Sequence, residues 1–245
     1  MRPSRRQVLS LPFSALAAGQ APPARTSKIV CVGGHPDDPE SGCGGTLARF
    51  AELGHRVTII YLTRGEAGIA SKSHAEAAAI RSAECTAACE ILGAQAVFAG
   101  QIDGATVVDK NAAESLGKLI SAEDPDVVFT QWPIDGNLDH QAASTLTFRA
   151  WLAARGRFEL YYYEVALGMQ TMGFHPTDYV NISAVRDKKK AALFAHKSQN
   201  GERIYRAWHQ GMENHRGLES GCEAAEGFAH LARVHSTSRL PGLGA

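Results

Sequence analysis

Residues 28–40 read Lys-Ile-Val-Cys-Val-Gly-Gly-His-Pro-Asp-Asp-Pro-Glu, and this stretch decides how the rest of the chain is read. Its first six residues, KIVCVG, have the uninterrupted apolar character of a strand buried on both faces. Directly afterwards one imidazole and two carboxylates, His35, Asp37 and Asp38, fall within four positions. Working outward, apolar runs alternate with helical spacing. A helix is expected over Gly44 to Leu53, stopping at Gly54, and a second buried strand over Arg56 to Thr63. A long Ala-rich helix follows over His74 to Leu92, ended by Gly93, then a short strand at Ala96 to Ala99. The pattern predicts helix over Ala112 to Ala122, strand over Asp126 to Thr130, helix over Asp139 to Ala154 and a Tyr-rich strand over Leu160 to Val165. Further on come a strand near Tyr179 to Ile182 and helices around Val185 to His196 and Glu202 to Arg216. Such alternation implies an α/β fold, a mainly parallel sheet with helices on both faces. In these sheets the sites form in loops that follow the strands' carboxyl ends.

The chain has 245 residues, 44% of them hydrophobic, with 25 Lys plus Arg balancing 25 Asp plus Glu. It is long enough for one large core, too apolar for disorder, and lacks the basic excess of a nucleic-acid-binding protein. No apolar run reaches the ~18 residues of a membrane span. The charge is uneven: residues 1–30 contain five basic residues and no acid. There Ser4-Arg5-Arg6-Gln7-Val8-Leu9 precedes an apolar stretch and the small-residue sequence Ala15-Leu16-Ala17, an order that resembles a twin-arginine export signal with a cleavage site. Residues 1–24 are therefore set aside as a signal for export to the periplasm, and 25–245 are taken as a single domain. Cys31, Cys43, Cys85, Cys89 and Cys222 show no Cys-x-x-Cys spacing, and Cys85 and Cys89, four apart on a helix, are poorly placed for a disulfide; most are expected to be small buried hydrophobes.

His35 and Asp38 are three apart, so one turn can aim both at a cation, zinc or iron(II) by the character of the donors. Asp37 is then left as a free carboxylate where a hydrolytic general base belongs. Helix capping explains one aspartate of this loop but not all three polar residues. A second cluster, Trp132-Pro133-Ile134-Asp135-Gly136-Asn137-Leu138-Asp139-His140, follows the Asp126–Thr130 strand and should face the first across the top of the sheet. His140 completes a set of two imidazoles and one carboxylate, and Asp139 could orient a ligand without binding the ion itself.

The sequence resembles the LmbE-like N-acetylglucosaminyl deacetylases of the PIG-L superfamily from about residue 27 to at least 200. The resemblance rests on GGHPDD (33–38), LTRGEAG (62–68), Arg81-x-x-Glu84 before LG (92–93) and LDHQAAS (138–144), with HKSQ (196–199) and Ala225-Glu226-Gly227-Phe228 in support. It implies a Rossmann-like three-layer fold and one zinc per chain held by His35, Asp38 and His140. It also implies Asp37 as general base for the attacking water and a small N-acetylated amino sugar as substrate. Arg81 and Asp103 fall at positions that contact sugar hydroxyls in the family; an ordinary helix salt bridge to Glu84 or Glu76 is the alternative for Arg81.

The chain departs from the family at Asn137, where His is usual. An amide can donate to a developing oxyanion but cannot deliver a proton. Two readings follow: a zinc-dependent N-deacetylase, with Asp37 and Asn137 as its catalytic pair, or a catalytically weakened sugar-binding protein that keeps the metal. A nucleotide-cofactor enzyme is disfavoured, because the first strand leads to His-Pro-Asp-Asp and not to a Gly-x-Gly-x-x-Gly loop. His196 reads as a buried structural histidine and Lys188–Lys190 as a solvated helix face. Nothing in the sequence fixes the oligomeric state, and a homo-oligomer is compatible with it.

Overall fold

The computed structural model describes residues 25–166 and 170–231. The export signal expected over residues 1–24 lies outside them. Among the described residues the strands are β1 (Lys28–Gly33), β2 (Arg56–Tyr61), β3 (Gln95–Phe98), β4 (Val127–Gln131), β5 (Glu159–Tyr163), β6 (Asp178–Asn181) and β7 (Ala225–His230). They form one sheet in the order β3-β2-β1-β4-β5-β7-β6. The first five are parallel, with Cys31 opposite Ile59 on one side and Phe129 on the other. The order reverses between β1 and β4, so the loops that leave these two strands open the crevice where α/β sheets take their ligands.

Helices α1 (Asp38–Glu52), α2 (His74–Leu92) and α5 (Arg186–Ala195) cover one face over Leu47, Phe50, Tyr61 and Phe129. On the other face α3 (Lys110–Glu123) and α4 (Leu138–Ala153) enclose Val30, Ile60, Leu116, Ile120 and Leu146. The result is the three-layer α/β sandwich expected from the alternation. The C-terminal helical arm runs through α6 (Gly201–Ile204), a wider π-helical turn over Tyr205–His209 and α7 (Gln210–Ser220).

Three local expectations are corrected. Helix α1 starts at Asp38, not at Gly44. The reason is visible at its midpoint: Glu226 accepts the backbone N–H groups of Gly45 (2.9 Å) and Thr46 (2.7 Å) and the Thr46 hydroxyl (2.6 Å). A carboxylate inserted into the ladder gives the second half its own N-terminal anion, so the apolar periodicity restarts there. The glycines let other elements reach this helix, since a Cβ on Gly42 would lie 2.4 Å from the Tyr163 ring.

Strand β7 is not announced by the apolar pattern, and the sequence offers only the motif Ala225-Glu226-Gly227-Phe228 there. It inserts antiparallel between β5 and β6, pairing Phe228 with Tyr163 and with Asp178. Its central Glu-Gly pair hides the strand, because the buried Glu226 finds its partners on α1 and α5.

The lysine run is not a wholly solvated face. Lys189 is 1% exposed, with its Nζ 2.9 Å from Glu213 and 2.8 Å from Glu226. Burial alone would lower its pKa, but the two carboxylates outweigh that effect and raise it. Four of the five cysteines are buried and all five are free, as expected.

Candidate active site

Strand β1 delivers its polar loop into the crevice through Gly34. The Gly34 N–H donates to Gln131 Oε1 at the end of β4 (2.8 Å), and a Cβ there would stand 3.0 Å from the His140 ring. This close approach brings the two sequence clusters together. His35 Nδ1 lies 3.2 Å from Asp38 Oδ2, His140 Nε2 lies 3.1 Å from the same oxygen, and the two ring nitrogens are 3.3 Å apart. Donors held about 2.0–2.1 Å from a tetrahedral ion stand about 3.3–3.4 Å from one another, so this triangle fits one face of a zinc-type coordination sphere.

The outward nitrogen of each ring is held by carboxylates. His35 Nε2 lies 2.9 Å from Asp139 Oδ2 and 3.2 Å from Asp103 Oδ1, and His140 Nδ1 lies 3.1 Å from Asp135 Oδ1. Such partners fix the orientation of a metal-binding imidazole and raise its basicity. His35, Asp103 and Asp139 also bring three donor atoms close together. However, Asp139 already accepts the Gly104 N–H (2.8 Å) and the Thr106 hydroxyl (2.6 Å), so its geometry serves the His35 ring.

The charges are strongly coupled. Burial would raise Asp38, yet the His140 and His35 rings outweigh it and hold its carboxyl well below the usual range. Burial would lower both imidazoles; the carboxylates around them win, taking His35 well above its ordinary value and His140 up to about 9. Asp37 goes the other way. Burial pushes it up to about 6 against the attraction of Arg81.

Asp37 caps α1 in an unusual conformation, with φ 103° and ψ −27°. Left-handed backbone at a residue other than glycine costs on the order of 1–3 kcal/mol and persists only where surroundings enforce it. Here Glu40 Oε2 accepts the Asp37 N–H (3.2 Å), while the Ser41 N–H (2.9 Å) and hydroxyl (2.7 Å) donate to the Asp37 carbonyl. Arg81 donates to Pro36 O (2.6 Å) and Asp37 Oδ1 (3.3 Å). The helix salt bridge considered for Arg81 is not formed: Glu76 caps α2 with Ser73, and Glu84 binds Ser198. Arg81 and Asp103 do line the cleft, 4.0 Å apart, with the Ala67 N–H donating to Asp103.

Asn137 is the N-cap of α4. Its Oδ1 accepts the Asp139 N–H (2.8 Å) while the residue lines the cleft of about 270 Å³ that contains His35, Asp37, Asp38 and His140. Sequence reasoning missed several residues here. Asp135 stood inside the quoted loop, and a carboxylate five positions before His140 was the available signal. Gln170, whose amide lies 2.9 Å from His140 Nδ1, comes from a distant loop and carries no local signal, whereas Gln199 ends the HKSQ motif, which marked the segment without assigning this residue a role.

A parallel α/β sheet with two imidazoles and a carboxylate converging at its switch point, beside a strained aspartate, defines the hydrolytic class with a candidate metal centre. Within that class, this chain belongs to the PIG-L family: the family's profile, described as GlcNAc-PI de-N-acetylase, matches residues 30–151. It is similar to the diacetylchitobiose deacetylase of Thermococcus kodakarensis, at 29% identity over 224 residues, 84% of each chain. The fold matches N,N'-diacetylchitobiose deacetylase from Pyrococcus horikoshii in complex with its inhibitor MPG, with a TM-score of 0.74, 24% identity and 86% of each chain covered. It also matches the 4-carboxy-2-hydroxymuconate hydratase GalB of Pseudomonas putida, with a TM-score of 0.76, 25% identity, and 88% and 100% of the two chains covered.

Proposed function

We propose that this protein is a zinc-dependent hydrolase that removes the N-acetyl group from an amino sugar or its conjugate. The observation that carries the reading is the triangle of His35 Nδ1, Asp38 Oδ2 and His140 Nε2, with edges of 3.1–3.3 Å, in the cleft that Asp37 also lines. A divalent ion bound there, zinc or iron(II), would supply Lewis-acid polarisation of the amide carbonyl and would make water a better nucleophile.

The chain's own groups supply the proton chemistry. Asp37 carries a pKa of about 6, so near neutrality its carboxylate can accept a proton from the attacking water. Arg81 at 3.3 Å fixes one carboxylate oxygen and leaves the other for that proton. The Asn137 oxygen is occupied by the Asp139 N–H, which leaves its NH₂ group as a donor to the oxyanion. Since an amide cannot release a proton, Asp37 returns the one it took to the departing amine.

Neutral sugar hydroxyls suit the lining, where the amides of Gln170 and Gln199 and the Asp103 carboxylate offer hydrogen bonds. A small tricarboxylate, the substrate type implied by the hydratase's name, finds less support. Arg81 is the one Lys or Arg along this cleft among the described residues, and it is engaged with Pro36 and Asp37. Export through the basic segment ahead of residue 25 belongs to the same proposal, tested by whether that segment is cleaved in a host with twin-arginine transport.

The test is acetate release from a panel of N-acetylated amino sugars and conjugates by zinc-loaded protein. Release that is lost in Asp37→Asn supports the reading. Full activity in that variant overturns the mechanism, and tight sugar binding with no release favours the weakened-binder alternative.

A further inference from the structure

Of the HKSQ segment (196–199) only Gln199 lines the cleft, yet its first residue is anchored to the loop that presents Asp37. His196 caps α5 and is 0% exposed. Its Nε2 lies 3.1 Å from Oε1 of Glu40, itself 0% exposed, at ion-pair distance but not aligned as a hydrogen bond. The same Glu40 oxygen accepts the Tyr61 hydroxyl at 2.7 Å, and its other oxygen accepts the Asp37 N–H at 3.2 Å. Two residues on, Ser198 binds both oxygens of Glu84 on α2, and Gln199 donates to Gly68 O at the cleft.

We infer that His196 is a positioning residue, which through Glu40 holds Asp37 in its left-handed conformation facing the cleft. The physical argument is one of satisfaction. A carboxylate buried as completely as Glu40 must be neutralised or bonded on both oxygens to stay where it is. The Tyr61 hydroxyl bonds Oε1 and the buried His196 ring closes against the same atom, which fixes the rotamer that offers Oε2 to the Asp37 N–H. Without the imidazole the carboxyl group is free to rotate, and the backbone of Asp37 loses the acceptor that opposes its relaxation to ordinary φ. The inference rests on the deacetylase reading only for its catalytic consequence; the structural link stands by itself.

The experiment uses the full metal-loaded chain with His196→Leu, His196→Gln and, as a shape-preserving control on the same carboxylate, Tyr61→Phe. Metal content, kcat and KM for acetate release, and hydrogen exchange of the Asp37 amide are measured for each. His196→Leu is expected to keep one metal per chain, to lower kcat 10- to 100-fold with KM within about twofold, and to speed exchange of the Asp37 amide at least tenfold. His196→Gln, which keeps a polar group able to reach Glu40, should recover most of both. Tyr61→Phe should move kcat and exchange in the same direction by a smaller factor. Unchanged Asp37 exchange in both His196→Leu and Tyr61→Phe overturns the inference, as does an undiminished kcat in His196→Leu. A wild-type protein that releases no acetate, but whose Asp37 amide exchange still responds to His196→Leu, refutes the function and leaves the positioning link in place.

Discussion

The Nε2 atom of His35 lies 2.9 Å from Oδ2 of Asp139, on the side of the ring turned away from Asp38. An aspartate one residue from a candidate ligand thus acts on the other candidate histidine, 104 positions earlier. Asp139→Ala is expected to weaken zinc binding about 10- to 100-fold, because the ring loses both its orientation and its basicity. Competition against a chromophoric chelator measures this, and an unchanged affinity would refute the role.

Removal of the metal should register in stability as well as in activity. Chelation is expected to abolish acetate release and to lower Tm by about 5–10 °C, since an ion at about a hundred times its Kd contributes roughly 2.7 kcal/mol. His140→Ala should show the low Tm without chelator and should no longer respond to added zinc. A calorimetric scan of both proteins with and without zinc distinguishes these outcomes.

Asn137 caps α4 through its Oδ1, so its two roles can be separated. Asn137→Ala should cost about 1 kcal/mol through loss of the cap and also depress kcat. Asn137→His gives up the same cap interaction yet is expected to raise kcat at least severalfold, by adding a group able to protonate the amine. If Asn137→His is no faster than the parent, proton delivery does not limit turnover in this site.

Lys189 joins Glu213 on α7 to Glu226 on β7 from within the core. Lys189→Met leaves two carboxylates buried without their shared cation, and a loss of about 3–5 kcal/mol is expected. Urea unfolding should show the midpoint fall with little change in slope.

A pH dependence follows from His209, which is 1% exposed and has no hydrogen-bond partner on either ring nitrogen among the described residues. Burial, reinforced by Lys189, pushes its pKa down to about 3. The unfolded chain takes up a proton near pH 6.5, where the native ring does not, so this residue's contribution to stability falls as pH drops below about 6.5 and levels off near 3. His209→Leu should be nearly as stable as the parent at pH 7 and should lose less Tm between pH 7 and pH 5. Equal losses in the two proteins would assign the acid sensitivity elsewhere.

Much of the fold was legible because parallel strands buried on both faces write themselves as apolar runs, as in KIVCVG and RVTIIYLT. Strand β7 was not, because it carries a buried glutamate whose compensation comes from Gly45, Thr46 and Lys189. The start of α1 is hidden for the same reason, since Glu226 binds its backbone at Thr46 from 180 residues away. Residue type alone cannot report a carboxylate made tolerable by a distant partner.

Local spacing therefore determined the donors of the candidate centre: a turn sets what His35 and Asp38 can offer together, and a strand-to-helix loop sets where His140 can stand. Tertiary structure alone decided how those donors are used. It supplied Asp135 and Asp139 as partners of the outward ring nitrogens, brought His196 and Tyr61 onto Glu40, and forced Asp37 into left-handed backbone. The reason is energetic: buried charges must be matched in three dimensions, and the matching groups are drawn from wherever the chain happens to pass.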